Sequence, residues 1–339
     1  MLDYLLSRYK RINQQTLLKQ PAQYKKKYAI IGTGTHSLTN LYPCIWHLGI
    51  PVKYIYSASP ENAAAAAGRW KDCTGTGDLN TILNDTSIAG VFLSTRPQLQ
   101  AGMAKQLLQH NKQVFVEKPV GFSIGELKEV IAAQKNNICQ VGLQRRFSSV
   151  MEILRKTSKD VTGYNYRFLI GPYPEGNCIY DIFIHPVDFI VQLFGTPSID
   201  HVSVQKDSMG LTCFIVLSHG SVKGMLELST HYSWQQPLDE ITINTKSKTI
   251  TAKYPDHASA LVKPTRLFNI PVEKIMPKPL QKEIYLDSTF VPSASMNSLH
   301  LQGFYPQLKH FADTVENNRP AAFSKLESLL PVYDILGKL

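Results

Sequence analysis

A charged pair at the end of an apolar run is the first group of residues that could do chemistry. Val114-Phe115-Val116 has the composition of a buried strand, and Glu117-Lys118-Pro119 follows it directly. Charged residues at the carboxyl end of a parallel strand lie where open α/β sheets bind ligands. A lysine at that place could hydrogen-bond a substrate hydroxyl or carbonyl and stabilise negative charge that develops on oxygen. Spacing alone equally allows a surface salt bridge between these neighbouring strand-end residues.

The second group is Asp181 and His185, four residues apart in an apolar stretch that predicts a helix from about Asn177 to Phe194. On a helix this spacing puts both side chains on one face. A carboxylate beside an imidazole raises its proton affinity and fixes its orientation, which suits the ring to general acid–base work. The alternatives are a core pair with no catalytic role and a helix cap at Asp181. No metal site is predicted, because no third ligand of suitable spacing is evident.

The third group is a glycine-containing turn between a short apolar strand at 28–31 and a helix predicted from about Ser37 to His47. Gly32 permits a tight turn, and Gly34 lets the backbone approach a pyrophosphate. The N-terminus of the following helix offers unpaired N–H groups to that anion. Ser37 occupies the third fingerprint position, where Gly or Ala is usual. The turn predicted to bind a dinucleotide is Gly32-Thr33-Gly34-Thr35-His36-Ser37.

The nature of the dinucleotide depends on the end of the second predicted strand, where an acid would bind the 2′-hydroxyl of NAD. The chain reads Tyr56-Ser57-Ala58-Ser59 there, and the first carboxylate is Glu61. Ser57 and Ser59 could hydrogen-bond a 2′-phosphate without repelling it, which favours NADP. No arginine stands in the turn to clamp that phosphate, so NADP and NAD both remain candidates.

The elements that must position these groups change character near residue 145. Before it, nearly continuous apolar strands alternate with helices, which indicates a parallel sheet covered on both faces. After it, longer and partly alternating strands follow one another around one helix, which implies a mostly antiparallel sheet. We predict a basic arm at 1–27, a dinucleotide-binding domain at 28–145, an α/β substrate domain at 146–302, and C-terminal helices at 303–339 that pack back toward the first domain.

Composition argues against several classes of protein. No segment approaches the ~20 apolar residues needed to cross a bilayer, and the early charges do not fit an export signal. Five scattered cysteines without a Cys-x-x-Cys are typical of a reduced, cytoplasmic protein. The net charge of +10 is concentrated in the arm, which has seven basic residues against Asp3. No nucleic-acid-binding motif accompanies that charge, so we expect neither a nucleic-acid nor a membrane partner.

In order and spacing, these groups resemble the Gfo/Idh/MocA family of glucose–fructose oxidoreductases and inositol dehydrogenases, from Tyr28 onward. The most specific marks are Glu117-Lys118-Pro119 and the Asp181–His185 pair, and the runs at 91–97 and 142–147 add to them. The resemblance implies an N-terminal Rossmann domain and a C-terminal α/β domain with a large, mostly antiparallel open sheet. It also implies a homodimer or homotetramer through that sheet. The implied activity is hydride transfer between a nicotinamide and a hydroxyl or ketone carbon of a sugar, sugar derivative or cyclitol.

The resemblance also assigns roles to residues. Lys118 would contact the substrate oxygen and the nicotinamide ribose, with a cis peptide to Pro119. His185 would be the general acid–base, Asp181 its orienting or substrate-binding partner, and Arg146 a substrate contact near the cleft between the domains. The residues that would bind the cofactor are Gly32, Thr33, Gly34, Thr35, His36, Ser37, Ser57, Ser59, Ser94, Thr95, Arg96, Pro97, Glu117 and Lys118.

Two departures from the family pattern leave the substrate class open. Gln100 stands where the family often has histidine, and Pro174-Glu175-Gly176-Asn177 replaces the usual glycine-rich approach to the Asp181 helix. The alternative functions are reduction of an imine or another double bond, and a non-catalytic dinucleotide sensor. The sensor hypothesis predicts loss of Lys118 or of the Asp181–His185 pair, and the sequence retains all three.

Overall fold

The computed structural model describes residues 24–233, 237–262, 266–267, 269–274, 280–286, 298–319 and 323–339, together with Tyr4 and Arg8. Most of the predicted basic arm, 1–27, therefore lies outside the described residues. The end of the arm that is described contacts the C-terminal part of the chain, because the Tyr24 hydroxyl donates a hydrogen bond to Asp313 at 2.9 Å.

The first sheet has six parallel strands. They are β1 (Lys27–Ile31), β2 (Val52–Tyr56), β3 (Thr74–Thr76), β4 (Ile88–Leu93), β5 (Gln113–Glu117) and β6 (Cys139–Gly142). Their order across the sheet is β3-β2-β1-β4-β5-β6. The order reverses between β1 and β4, and in such sheets the crevice outside the carboxyl ends at this point binds ligands.

Helices connect these strands and cover both faces of the sheet, which is why the strands are apolar almost throughout. They are a π-helical turn (Ser37–Leu41) that continues into α1 (Tyr42–His47), then α2 (Pro60–Ala67), α3 (Asn80–Asn84), α4 (Pro97–Gln109) and α5 (Ile124–Gln134). Helix α4 begins at Pro97, whose fixed φ suits a first helical position. Asn111 follows it with a φ of 59°, the left-handed conformation that often ends a helix.

The second sheet has eight strands, of which only two neighbours are parallel. They are β7 (Val161–Leu169), β8 (Ser198–Lys206), β9 (Leu211–His219), β10 (Val222–Ser229), β11 (Leu238–Thr245), β12 (Lys248–Lys253), β13 (His257–Val262) and β16 (Leu280–Leu286). The order is β16-β13-β12-β11-β7-β10-β9-β8, with β7 parallel to β10. Strands β11 and β12 form a hairpin, with Ile243 opposite Ile250. The predicted combination of a parallel sheet with a large, mostly antiparallel sheet is confirmed.

Helices cover one face of the second sheet. They are a 3₁₀ turn (Gln144–Phe147), α6 (Ser149–Thr157), a π-helical turn (Ile179–Phe183) and α7 (Ile184–Phe194). Tyr164 of β7 stacks on Phe194 with ring centroids 4.5 Å apart, and Tyr166 packs edge-on against Phe189 at 5.7 Å. The predicted helix from Asn177 to Phe194 is thus a π-helical turn followed by an α-helix.

The remaining elements lie near the end of the chain. They are β14 (Arg266–Leu267), β15 (Ile270–Pro271), a 3₁₀ turn (Val272–Lys274), α8 (Ser298–Leu301), α9 (Phe304–Glu316), a 3₁₀ turn (Leu326–Leu329) and α10 (Leu330–Leu336). Helix α9 lies against the first sheet, with Phe311 packed edge-on to Phe92 at 5.2 Å. In α10 the Tyr333 hydroxyl accepts from the Val120 N–H and donates to the Gly121 carbonyl, which fixes the segment after Pro119. Within the described residues, no helix combines the length and apolarity that a bilayer crossing requires.

Candidate active site

The glycine turn after β1 is built around a close approach to β4. Gly32 has a φ of 112°, and a Cβ there would lie 1.8 Å from the Ser94 carbonyl oxygen. No larger residue fits, because both the conformation and the space require glycine. A Cβ on Gly34 would meet nothing within 4 Å, so the surface beside that residue is open. The turn therefore combines a tight internal contact with an open backbone edge, as dinucleotide binding requires.

A cavity of about 540 Å³ lies outside the carboxyl ends of β1, β2 and β4. The predicted cofactor residues that line it are Gly32, Thr33, Gly34, Thr35, His36, Ser37, Ser57, Ser59, Ser94, Thr95 and Arg96. The cavity is also lined by residues that were not predicted to bind the cofactor, namely Tyr56, Ala58, Asn62, Leu99 and Met103. Pro97 lines a neighbouring cleft instead.

Lys118 links the two domains. The peptide to Pro119 is cis, and Lys118 Nζ donates a hydrogen bond of 2.6 Å to the main-chain carbonyl of Asp181. Burial lowers the pKa of Lys118 below its usual value, and nearby Glu117 and Asp181 oppose that shift. An ammonium has three donors, so the observed bond leaves two for a ligand oxygen.

Asp181 lies in the π-helical turn with its carboxylate turned back along the chain. Oδ2 accepts a hydrogen bond of 2.9 Å from the Asn177 N–H. A Cβ on Gly176 would come within 2.3 Å of the same oxygen, so glycine at 176 makes room for the carboxylate. Burial raises the pKa of Asp181, and Lys118 opposes the rise.

The His185 ring is partly buried, and its Nδ1 is buried without a hydrogen-bond partner among the described residues. Burial lowers the pKa of His185 well below 6.5, and the positive charges of Lys118 and Arg145 lower it further. The ring is therefore neutral at pH 7. The described residues contain no hydrogen bond between Asp181 and His185. Asp181 does not orient the ring as predicted, because its carboxylate is held by Asn177.

The two neighbouring arginines at the domain crossing, Arg145 and Arg146, lie in different environments. Arg146 is fully buried, and its guanidinium binds Asp188 with Nε–Oδ2 2.9 Å and Nη2–Oδ1 2.5 Å. Its predicted position beside the cleft is wrong for that reason. Arg145 lies on the site side instead: its Nη1 is 2.7 Å from Asp239 Oδ2, and its charge acts on His185. Sequence reasoning missed Arg145, because neighbouring arginines in a short turn give no signal of which one faces the site.

Three buried polar atoms at this place have no hydrogen-bond partner within the described part of the chain, although one of them, on Glu117, lies 3.7 Å from His36 Nε2. They are Glu117 Oε1, Arg145 Nε and His185 Nδ1. Such atoms are rare in folded proteins and need an explanation at each occurrence. Here they come from three separate elements near Lys118, and they include both a donor and an acceptor. The arrangement fits a site that a polar ligand and a cofactor complete.

A second cleft, of about 1020 Å³, adjoins the first and shares Arg96 with it. Its walls are the loop around Tyr173, the start of the Asp181 turn, and the hairpin between β8 and β9. Asp181 lines this second cleft, and Lys118 is joined to it by the hydrogen bond to the Asp181 carbonyl.

Comparison with known proteins is consistent with this geometry. The sequence model of the GFO_IDH_MocA family, described as an oxidoreductase family with an NAD-binding Rossmann fold, matches residues 26–144. About a third of the chain is thus similar in sequence to the Gfo/Idh/MocA family. The matched segment carries both the glycine turn and Lys118.

Curated relatives match only part of the chain. An uncharacterised oxidoreductase, YrbE, from Bacillus subtilis is 28% identical over 138 residues, 36% of this chain and 40% of the relative. Inositol 2-dehydrogenase from Salmonella typhimurium is 27% identical over 33% of this chain and 37% of the relative. The chain thus spans well under two thirds of the length of the curated relatives it matches.

Solved structures of similar fold cover nearly the whole chain. A dehydrogenase from Chromobacterium violaceum superposes with a TM-score of 0.79 at 16% identity, covering 93% of this chain and 94% of the other. The 3-ketoreductase KijD10 from Actinomadura kijaniata, solved with TDP-benzene and NADP, has a TM-score of 0.72 at 13% identity over 93% and 96%. At these identities the similarity establishes a shared fold over nearly the whole chain.

Proposed function

We propose that this oxidoreductase transfers a hydride between a nicotinamide and a hydroxyl or ketone carbon of a sugar, sugar derivative or cyclitol. The observation that carries the proposal is the grouping of Lys118 with Asp181 and His185 beside the second cleft. Lys118 bonds the Asp181 carbonyl, its charge acts on His185, and Asp181 lines the cleft that adjoins the dinucleotide cavity. The curated relatives include an inositol 2-dehydrogenase, and a structural neighbour is a 3-ketoreductase.

The residues divide the chemistry as follows. A bound nicotinamide would accept or give the hydride. His185 is neutral at pH 7, so it can take the proton of a substrate hydroxyl during oxidation and return it during reduction. The Lys118 ammonium would donate a hydrogen bond to the same oxygen and stabilise negative charge there. Asp181 would accept a hydrogen bond from a neighbouring substrate hydroxyl while Lys118 stays bonded to its carbonyl.

The residues at the dinucleotide cavity fit such a cofactor. Gly34 leaves the backbone accessible to a pyrophosphate, and the unpartnered Glu117 Oε1 could accept from an amide N–H. At the ribose end of the cavity, one contact argues against the predicted preference for NADP. Ser59 Oγ donates to Glu61 Oε2 at 2.7 Å, and this bond lowers the pKa of Glu61. A charged carboxylate at that end repels a 2′-phosphate, so we propose that Glu61 sets the balance between NAD and NADP.

We further propose that the protein self-associates through the open face of the second sheet. Phe214 of β9 and Met225 of β10 are 40% and 38% exposed, although their strand neighbours are buried under the helices. Strand side chains alternate, so both project from the uncovered face. Phe214→Glu should lower the molar mass measured by light scattering, and Ile124→Glu, at an equally exposed position on α5, should not.

A screen of sugars, nucleotide-sugars and inositols, followed by absorbance of the reduced cofactor, tests the activity. Fluorescence titration with NADH and NADPH tests the cofactor site separately, and at least one of them should bind. If neither binds, the dinucleotide assignment is wrong. If one binds but no polyol or ketone in the screen turns over, the substrate class is wrong while the cofactor assignment stands.

A further inference from the structure

Gln100, the fourth residue of α4, is 1% exposed and bonds three main-chain groups in two different loops. Its Oε1 accepts from the Thr95 N–H at 2.9 Å. Its Nε2 donates to the Glu117 carbonyl at 2.6 Å and to the Pro119 carbonyl at 3.1 Å. These two carbonyls flank Lys118 on either side. One side chain therefore joins a loop that lines the dinucleotide cavity to the turn that presents the lysine.

The chemistry of the amide explains why this residue can make the connection. An amide offers one acceptor atom and two N–H donors in a rigid plane, so it can serve two neighbouring carbonyls and one N–H together. A neutral imidazole offers one donor and one acceptor on separate ring atoms. A histidine at 100 could serve at most two of the three groups. Glutamine satisfies all of them, and its burial keeps water from replacing any of these bonds.

We propose that Gln100 is a positioning residue that sets the direction of Lys118 and couples it to the cofactor loop at Thr95. The proposal rests on the proposed role of Lys118 in hydride transfer. Lys118 extends from a backbone whose carbonyls on both sides are held by the same amide, and its Nζ reaches the Asp181 carbonyl at 2.6 Å. If the amide is removed, the turn can rotate and the ammonium moves away from the substrate oxygen.

A role in stability alone would give a different result, and Gln140 offers a matched control. Gln140 is also 1% exposed, and its amide donates to the Gln307 carbonyl at 2.8 Å and contacts His310 at 2.7 Å. Gln100→Met and Gln140→Met each remove the hydrogen bonds of a buried amide with little change in size. Both should lower the unfolding temperature. Only Gln100→Met should alter the catalytic step of the folded enzyme.

The expected kinetic result is a fall in kcat and kcat/KM together, on the order of 10²-fold for a displacement near 1 Å. Gln140→Met should stay close to wild type. Gln100→His, which keeps one donor and one acceptor, should lie between wild type and Gln100→Met. Equal rates in Gln100→Met and Gln140→Met would overturn the proposal.

A readout that does not need turnover separates this proposal from the proposed function. In protein with isotopically labelled lysine, NMR can follow the titration of Lys118, identified by its absence in Lys118→Met. Loss of the Gln100 amide should move the midpoint by about 0.5 pH or more, because the distances from Lys118 to Glu117 and Asp181 change. An unchanged midpoint would refute the positioning role, whether or not a substrate is known.

Discussion

Lys118 Nζ and the main-chain carbonyl of Asp181 lie 2.6 Å apart, in a hydrogen bond that joins the first sheet to the helix entering the second domain. The local sequence explains why this carbonyl is free to accept. Asp181 lies in a π-helical turn, and in the i→i+5 pattern its donor would be residue 186, which is a proline without an N–H. Lys118 and Asp181 belong to two separately predicted groups and are 63 residues apart, and they contact each other through the main-chain oxygen of Asp181.

Replacing Lys118 by Met should lower kcat by roughly 10²–10³-fold, the usual cost of losing a donor to a developing oxyanion. Lys112 is the matched control, since it is also a buried lysine that donates to a main-chain carbonyl, that of Asp85 at 2.5 Å. Lys112→Met should reduce stability and leave the kcat of folded enzyme unchanged. Steady-state rates beside thermal unfolding curves decide the matter. Similar kcat values for the two variants would contradict the assigned role.

The pH dependence of oxidation follows from two groups whose pKa values are shifted, His185 and Lys118. The base form of His185 is neutral, and burial lowers its pKa well below 6.5, so activity should persist at pH 6 and fall only in more acid solution. The active form of Lys118 is protonated, and its lowered pKa means that activity should fall with rising pH before 10.5. A bell-shaped profile of kcat/KM with these two limbs is expected. If kcat/KM fell on the acid side with a midpoint at pH 6.5 or above, His185 would be excluded as a buried base.

Gly176 provides a test of the Asp181 carboxylate that leaves the charged residues in place. A Cβ at 176 would lie 2.3 Å from Asp181 Oδ2, so Gly176→Ala must displace that side chain. We expect a fall in kcat/KM for the polyol of tenfold to about 10²-fold, with the dissociation constant of the cofactor unchanged. Gly102→Ala is the control, because a Cβ there meets nothing within 4 Å. A loss of cofactor binding in Gly176→Ala would show that the turn has a different function.

The positions of the strand ends that carry the candidate site could be predicted from the sequence. Apolar runs that end in Gly32 or Glu117 mark strand ends, and parallel strands bring those ends to one edge. The π-helical turn could not be predicted, since the Asp181–His185 spacing suits an α-helix equally well. Nor could the roles of Arg145 and Arg146 be separated, because their directions depend on Asp239 and Asp188, which are distant in sequence.

The carboxylate of Glu61 gives a test of cofactor choice. Glu61→Gln removes a negative charge that Ser59 holds at the ribose end of the cavity. NADPH should then bind more tightly relative to NADH, by about 3- to 10-fold at low ionic strength, with the difference shrinking as salt screens the charge. Fluorescence titration of both cofactors measures the ratio, and Glu152→Gln, far from the cavity on α6, is the control. An unchanged ratio would remove Glu61 from the specificity argument.

Substitutions of Arg146 and of Arg145 should differ in their effects on the free energy of unfolding and on kcat/KM. Arg146→Met leaves Asp188 as an unpaired charge inside the protein, which costs about 3–5 kcal/mol of unfolding free energy. Adding Asp188→Leu to the same chain should restore most of that loss, since an apolar pair can replace a buried ion pair. Arg145→Met should also cost stability, because it leaves Asp239 without its ion-pair partner, but it should in addition reduce kcat/KM of the folded protein, because it removes the charge beside His185. Urea unfolding and steady-state kinetics on the same samples distinguish the two effects. If Arg146→Met kept its stability but lost substrate binding, the placement of the two side chains would be reversed.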